Sequence, residues 1–223
     1  MEFPGAGPLW LTVRLGLVTV FILIVLGTPL AWWLSRTRSR GKAAIEAVVS
    51  LPIVLPPTVV GFYLLILLGP YGAIGKPWVA LTGDTLTFSF AGLVIASVIY
   101  SMPFVVQPLQ NAFESLGQRY LEAAATLGAR PLDAFATVVL PLSARGYLTA
   151  FVMGFAHTLG EFGVVLMVGG NIPGSTRVVS IAIYDHVEAL EYGVAHRLAL
   201  ILLVFAFAAM VSLYLINRRW RHD

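Results

Sequence analysis

The stretch that decides the fold is LWLTVRLGLVTVFILIVLGTPLAWWL, residues Leu9–Leu34, followed directly by SRTRSRGK, residues 35–42. The first segment exceeds the ~20 apolar residues that cross a hydrocarbon core of ~30 Å. Its one charged residue, Arg14, lies near an end, from which a long side chain can reach the membrane interface. The second segment carries four positive charges and no negative charge. This pairing predicts a membrane-spanning helix with its basic end in the cytoplasm.

The composition extends this prediction to the whole chain. Hydrophobic residues make up 58% of the 223 residues and charged residues only 11%, whereas average soluble proteins carry ~25% charged residues. So few charges cannot cover the surface of a soluble globule, and so apolar a chain is not disordered. The sequence contains no cysteine, which excludes disulfides and cysteine-ligated metal sites.

Four more apolar segments are long enough to span the membrane, so we predict an all-α integral membrane protein with five transmembrane helices. The predicted spans cover residues 9–34, 43–68, 88–109, 147–168 and 196–216. They form a single transmembrane domain over residues 1–223, and the longest loop, 110–146, separates spans three and four. Pro52, Pro56 and Pro57 remove backbone donors from the second span and should bend or break it.

The charges in the loops set the predicted orientation. Residues 35–42, the loop 110–146 and the C-terminal tail hold ten basic residues, whereas the opposite side holds three basic and five acidic residues. The first side is therefore predicted to be cytoplasmic, with the N-terminus outside and the C-terminus inside. Residues 1–8 contain Glu2 and no lysine or arginine. This favours an uncleaved first span over a signal peptide.

Motifs for catalysis and for nucleotide or metal binding are absent from the sequence. The string GPYGAIGKP, residues 69–77, resembles a phosphate-binding loop, but Pro77 stands where that loop needs Ser or Thr. The four histidines lack metal-ligand spacing, so no metal site is expected. The cytoplasmic arginines are explained by topology, and no basic-aromatic surface for nucleic acid is present.

The loop between spans three and four carries the most informative pattern. Residues 118–127 favour helix, and Gly128 suits the position after a helix, where a left-handed backbone costs glycine nothing. Pro131 suits the first turn of a second short helix, which is expected to end before Pro141. We call this helix–turn–helix, residues 118–141, the elbow. From the residues alone it is either a docking surface for another protein or an amphipathic linker on the membrane surface.

The elbow resembles the "EAA" loop of ABC importer permeases of type I. The motif comprises Glu122-Ala123-Ala124, three residues, Gly128, nine residues, Val138, one residue and Leu140-Pro141. Only Val138 departs from the family, in which isoleucine is usual at this position. In that family the loop docks on an ATPase subunit. The resemblance therefore implies a role in ATPase coupling for Glu122, Ala123, Ala124, Gly128, Leu140 and Pro141.

Two further regions narrow the resemblance and extend it over nearly the whole chain. LPIVLPPTVVG at 51–61 and LGEFG at 159–163 are similar to oxyanion importer permeases in general, including those for sulfate. NIPGSTR at 171–177 resembles the molybdate permeases in particular. The resemblance thus implies an oxyanion importer, with molybdate as the indicated anion and tungstate or sulfate as alternatives.

The resemblance also implies the partners and the location. They are a second copy of the chain, two cytoplasmic ABC ATPase subunits that bind ATP and Mg²⁺, an extracytoplasmic oxyanion-binding protein, and the lipid of a bacterial or archaeal inner membrane. The chain itself would be non-catalytic and without a cofactor. Five helices are few for enclosing a gated path, which also favours a symmetric pair. ATPase movements would drive alternating access through the elbows.

Candidate residues for the translocation path or gate lie at Pro56, Pro57, Thr58, Gly160, Glu161 and Gly163. Thr58 and backbone groups freed by the prolines could supply dipoles to a passing dianion. Glu161 would repel a dianion if it were charged and exposed in the path. We therefore expect it to hold helices together rather than to bind the substrate. Asn171, Thr176 and Arg177 are expected outside, where they face the binding protein or line the outer mouth.

Two other functions compete with this interpretation. An intramembrane enzyme or assembly factor could use Glu161 and His157, which share a helix face at this spacing, although no second acidic or metal-ligand pair accompanies them. A proton-coupled secondary carrier should contain inverted repeats, and we find none in the sequence. Co-purification with a separate ATPase would distinguish both from an ABC importer permease.

Overall fold

Helices make up all the regular structure in residues 5–219, which are the residues that the computed structural model describes. In chain order they are α1 (Ala6–Arg36), α2 (Lys42–Val54), α3 (Pro57–Leu68), α4 (Gly75–Thr82), α5 (Phe90–Ser115), α6 (Arg119–Thr126), α7 (Pro131–Ala134), a π-helical turn (Phe135–Val139), α8 (Leu140–Leu142), α9 (Ala144–Gly160), α10 (Gly163–Gly169), α11 (Val179–Glu188) and α12 (Tyr192–Arg219).

Three of these helices, α1, α5 and α12, are each long and apolar enough to cross a membrane. Two bent pairs raise the number to as many as five, because α2 with α3, and residues Pro131–Leu142 with α9, each pass the same test together. The predicted first, third and fifth spans each lie almost wholly within one helix. Helix α5 continues beyond the predicted end at residue 109 to Ser115, and Gly117 follows with a φ of 66°.

The prolines break the second predicted span, as expected. Helix α2 ends at Val54, and α3 begins at Pro57 after a bend of 113°. Leu55 and Pro56 are both extended, with ψ values of 139° and 137°. Each precedes a proline, and proline pushes the residue before it out of the helical region. We call Leu55–Pro56 the first break.

The fourth predicted span, residues 147–168, is wrong as a continuous helix. Helix α9 ends at Gly160, and α10 begins only at Gly163. Glu161 between them has an extended backbone, with φ −63° and ψ 132°, and its carbonyl accepts a hydrogen bond from Ser180. This tertiary contact satisfies a backbone group that the helix would otherwise use. We call Glu161–Phe162 the second break.

Helices α1, α5 and α9 form the centre of the molecule. Small residues allow them to approach closely: a Cβ at Gly16 would lie 2.7 Å from the Phe155 ring, and one at Gly154 would lie 2.5 Å from Val105. In the apolar stretch of α5, 50% of the residues are buried within the chain, whereas in the apolar stretch of α12 only 6% are buried. Helix α12 therefore lies at the periphery and leaves most of its apolar surface to lipid or a partner.

The second helix of the elbow does not end before Pro141, so this prediction is wrong. After α7 the chain continues through the π-helical turn and α8 to Leu142. The N–H of Leu140 bonds to the carbonyl of Phe135, five residues back. Pro141 then occupies the first turn of α8, where its missing N–H is tolerated.

Candidate functional site

The turn of the elbow is a complete Schellman motif centred on Gly128. Its N–H bonds to the carbonyl of Ala125 at 3.0 Å, and the N–H of Ala129 bonds to the carbonyl of Ala124 at 3.0 Å. Gly128 has a φ of 82°, in the left-handed region that favours glycine. The predicted positive φ is therefore confirmed. A Cβ here would meet no atom within 4 Å. The position therefore favours glycine because of its positive φ and not because a side chain would clash.

The structure distributes the predicted coupling residues between two faces. Glu122, Ala123 and Gly128 are exposed, and Leu140 and Pro141 are exposed at the start of α8. Ala124 is buried, so its side chain does not belong to the free surface.

Two leucines on the elbow were missed by the sequence reasoning. Leu127 is 88% exposed and Leu132 is 82% exposed, on either side of the Gly128 turn. Isolated exposed leucines are ordinary, but two large apolar side chains that flank one turn form a candidate contact surface. The available signal was their position flanking the glycine of the motif.

The two breaks lie against each other, which brings predicted path residues together. A Cβ at Gly163, the first residue of α10, would lie 2.9 Å from Cβ of Pro57 and 3.7 Å from the backbone nitrogen of Thr58. One turn further along α3, a Cβ at Gly61 would lie 2.8 Å from Cβ of Met167. Glycines therefore allow α3 and α10 to pack closely where both begin. Gly160, in contrast, has open space beside its Cα.

Glu161 at the second break is buried and fully engaged. Only 3% of the Glu161 surface is exposed. Ser97 donates to Oε2 at 2.5 Å, and Ser101 donates to Oε1 at 2.5 Å. Both serines belong to α5 and are one turn apart, so the carboxylate joins the second break to the central helix. This geometry supports a structural role and provides no open face for substrate.

His157 completes this network from the last turn of α9. Its Nδ1 lies 2.9 Å from Oγ of Ser101 and 3.5 Å from Oε1 of Glu161. With Ser101 donating to Glu161, the tautomer of His157 that carries its proton on Nδ1 is the one that can donate to Ser101. The imidazole ring stacks on Phe104 with a centroid separation of 3.8 Å. This arrangement fixes the ring instead of presenting it as a free base.

No catalytic or metal centre is formed by these groups. Within residues 5–219 there is no group of three or more His, Cys, Asp or Glu side chains that could hold a metal ion. The Glu161 carboxylate, which the rival enzymatic interpretation requires as an acid or base, is enclosed by hydroxyl donors. The arrangement can orient a helix break, but it gives a substrate no access to the carboxylate.

The predicted outer-surface residues are held by one another. Nε of Arg177 donates to Asn171 at 2.5 Å, Asn171 donates to Asp185 at 3.0 Å, and Arg177 forms an ion pair with Asp185 at 3.5 Å. Asn171 is exposed and Arg177 is partly exposed. Thr176 is fully buried and accepts a hydrogen bond from the N–H of Ile172. The expectation that Thr176 faces the binding protein or lines the outer mouth is therefore wrong, because its side chain is buried and its hydroxyl stabilises the loop.

A polar ladder between α2 and α5 was not anticipated. Its three rungs are Lys42 with Glu114 at 3.4 Å, Glu46 with Gln110 at 2.7 Å, and Ser50 with Gln107 at 3.0 Å. The first and second rungs are linked, because Lys42 also lies 3.6 Å from Glu46. The ladder borders a cavity of about 230 Å³. The signal in the sequence was the helical spacing of these polar residues within two apolar segments.

Comparison with known families gives a match over nearly the whole chain. A family described as "Binding-protein-dependent transport system inner membrane component" matches residues 16–222. The "Molybdenum transport system permease protein ModB" of Azotobacter vinelandii is 61% identical over 92% of this chain and 90% of its own length. The protein of the same name from Escherichia coli K12 is 36% identical over 92% of this chain and 91% of its own length. The "Sulfate transport system permease protein CysT" of that strain is 34% identical over 88% of this chain and 70% of its own length.

Solved structures share the fold at lower sequence identity. A bacterial ABC transporter involved in alginate import matches with a TM-score of 0.75 and 17% identity, over 100% of this chain and 80% of that chain. An inward-facing MetNI methionine ABC transporter matches with a TM-score of 0.72 and 18% identity, over 98% of this chain and 99% of that chain. At these identities the likeness concerns the fold alone.

Proposed function

Because the chain belongs to the family of binding-protein-dependent transport system inner membrane components, we propose that it is the permease subunit of an ATP-driven molybdate importer. The observation that carries the proposal is the 61% identity over 92% of the chain to a molybdenum transport permease. The NIPGSTR loop at 171–177 supports the same anion. The chain is a transport subunit, and ATP hydrolysis belongs to a separate ATPase, as in ABC importers generally.

The elbow is the proposed contact with this ATPase. Gly128 sets its turn, Glu122 and Ala123 lie on its free face, and Leu127 and Leu132 extend from its tip. A small exposed surface with two apolar side chains and one carboxylate suits insertion into a groove of a partner. Ala124 would support this surface from inside. Leu140 and Pro141 would fix the far end of the elbow, where it joins α9.

The translocation path is proposed to pass the two breaks. Pro56 lies in the first break, Pro57 and Thr58 follow it, and Gly163 after the second break packs against Pro57 and Thr58. Irregular backbone within a membrane is tolerated where it is covered by protein or borders an aqueous cavity. Hydroxyl and backbone dipoles would stabilise a dianion without trapping it. Gly160 adjoins the second break, and Glu161 would keep that break in place without contacting the anion.

The assembly is proposed to contain two copies of this chain, two ATPase subunits and an extracytoplasmic oxyanion-binding protein. Helix α12 exposes apolar surface, and a polar cavity lies between α2 and α5. Both features support an assembly in which further subunits cover parts of this chain. With each bent pair counted as one span, the chain would have up to five spans, and the charges of the loops would place residues 35–42 in the cytoplasm and the N-terminus outside. Asn171 and Arg177 would lie on the outer face near the binding protein.

Uptake of isotopically labelled molybdate by cells that carry this chain as their only oxyanion permease tests the proposal. The ATPase and binding protein are co-expressed, and tungstate and sulfate are added as competitors. We expect ATP-dependent molybdate uptake that tungstate inhibits and sulfate inhibits weakly. The sulfate permease relative, at 34% identity, makes sulfate the second candidate. Preferential sulfate uptake would refute molybdate as the substrate and retain the family assignment.

A further inference from the structure

Phe135 of the elbow packs against aromatic rings from two long helices. Its ring centroid lies 5.2 Å from that of Trp32 on α1 and 6.1 Å from that of Phe113 on α5. Trp32 and Phe113 are themselves 5.3 Å apart. All three pairs are edge-to-face, with interplanar angles of 60° to 86°. The three rings therefore form a closed triangle that joins the elbow to α1 and α5.

A fourth element joins the same cluster. Tyr147, near the start of α9, lies 6.1 Å from Phe113, and its hydroxyl lies 3.2 Å from that of Thr28 on α1. Where α9 starts, a Cβ at Gly146 would clash with Cβ of Ala112 on α5. The cytoplasmic ends of α1 and α5 and the start of α9 thus meet at this cluster. We call Trp32, Phe113, Phe135 and Tyr147 the aromatic cluster.

The cluster is part of the core and not of the surface. Phe113 is fully buried, and Val139 and Ala134 of the elbow are 1% and 5% exposed. Phe135, Trp32 and Tyr147 pack against a core that also includes Leu109 and Val106. Interiors of this kind are close-packed and transmit displacement rather than absorbing it. The elbow therefore has an exposed tip at Leu127 and Leu132 and a rigid inner contact at the aromatic cluster.

Phe135 also begins the π-helical turn, Phe135–Val139. Single π-helical turns are rare, and they occur frequently at functional sites. This turn places both of its ends, Phe135 and Val139, against the core. Its middle residues, Ala136 and Thr137, are exposed. The irregular turn thus holds an inward aromatic side chain on an element that is otherwise largely exposed.

We propose that Phe135 is the positioning residue that transmits movement of the elbow to α1 and α5. This inference rests on the proposed function, in which an ATPase binds the elbow tip. Edge-to-face ring pairs have preferred geometries, so a displaced Phe135 shifts Trp32 and Phe113 with it. Without the ring, the elbow still binds the ATPase through its tip, but its movement no longer reaches the spanning helices. ATP hydrolysis and transport then become uncoupled.

The test uses the complete importer reconstituted in lipid vesicles with its ATPase and its binding protein. Phe135→Ala is compared with wild type for ATPase retention on the tagged chain, for ATP hydrolysis and for anion uptake. We expect retention and hydrolysis within about twofold of wild type and a rise of about tenfold in ATP hydrolysed per anion imported. Phe135→Tyr keeps the ring and should restore the wild-type ratio. A residue with a merely structural role would lower hydrolysis and uptake together.

The control removes an aromatic ring elsewhere. Phe151→Ala removes a ring of α9 that stacks on Phe155 at 6.1 Å, outside the aromatic cluster, and should leave the ratio unchanged. If Phe135→Ala does not accumulate, Phe135→Leu keeps most of the volume without the ring geometry and should also raise the ratio. An unchanged ratio in both variants, or loss of the bound ATPase, overturns the inference. A wild-type assembly that imports no oxyanion contradicts the proposed function instead.

Discussion

Thr12 on α1 accepts a hydrogen bond from the backbone N–H of Val179, 167 positions later in the chain, at 2.8 Å. Val179 is the first residue of α11, where N–H groups have no partner within the helix. Thr12 is 2% exposed, and it donates its own proton to the carbonyl of Pro8 at 2.7 Å. One threonine therefore caps a distant helix.

Thr12→Val should destabilise the protein, because it keeps the side-chain shape and removes the acceptor. The buried N–H of Val179 then lacks a partner, at a cost of ~1–3 kcal/mol. Thermal unfolding in detergent measures this loss. Thr12→Ser keeps the hydroxyl and should remain closer to wild type. Equal stability of the Val and Ser variants would show that the hydrogen bond contributes nothing.

Gly128→Val should weaken ATPase binding without preventing membrane insertion. A β-branched residue at a φ of 82° is strained by ~1–2 kcal/mol, although no atom blocks it. The measurement is the amount of ATPase that co-purifies with the variant. Gly193→Val in α12, where a Cβ also meets open space, is the matched control. Normal ATPase retention together with normal uptake would argue against a role for this turn.

Gly163→Ala should impair transport more than Gly160→Ala, three residues before it. The added methyl at 163 would lie 2.9 Å from Cβ of Pro57, whereas the one at 160 meets open space. Because the proline ring is rigid, α10 has to shift from α3, at ~1–3 kcal/mol of overpacking. Uptake rate and thermal stability are measured for both variants. Equal uptake rates in the two variants would show that transport does not depend on the close contact between α3 and α10.

Glu161→Gln should be milder than Glu161→Ala. The amide retains an oxygen that can accept from Ser97 or Ser101, whereas alanine leaves both buried hydroxyls without an acceptor, at ~1–3 kcal/mol. Uptake is measured against molybdate and sulfate concentration, along with stability in detergent. A change in anion selectivity in the assembled Glu161→Gln variant would assign Glu161 to the substrate path.

Ser39→Cys should resist a membrane-impermeant thiol reagent in intact cells, because residues 35–42 are predicted to be cytoplasmic. Thr85→Cys, in the exposed segment before α5, should react under the same conditions. The natural chain contains no cysteine, so each variant carries a single thiol. Labelling of Ser39→Cys from outside would invert the topology and move the elbow away from any cytoplasmic ATPase.

The features that depend only on neighbouring residues could be predicted from the sequence. Pro56 and Pro57 act on their own backbone neighbours, so the first break could be located from the sequence. Gly128 likewise ends α6 by a rule that needs only nearby residues. The extent of α1, within about three residues, follows from a long apolar run in which Arg14 is the one charged residue.

Contacts between distant segments could not be predicted in this way. The second break depends on Ser97, Ser101 and Ser180, which lie far from Glu161 in the chain. Hydropathy therefore indicated one continuous span there. Thr176 is polar and sits in an outer loop, which suggested exposure, but its hydroxyl serves the loop backbone. The burial of Ala124 depends on tertiary packing, which its helical sequence context does not reveal.

The contact between Gly16 and Phe155 imposes an order on biosynthesis. A Cβ at Gly16 would lie 2.7 Å from the Phe155 ring, so α1 reaches its final packing only after α9 has been made. At ~5–20 residues per second, the ribosome needs between about 7 and 28 s to travel from one residue to the other. During that interval α1 lacks the Phe155 ring that later packs against Gly16.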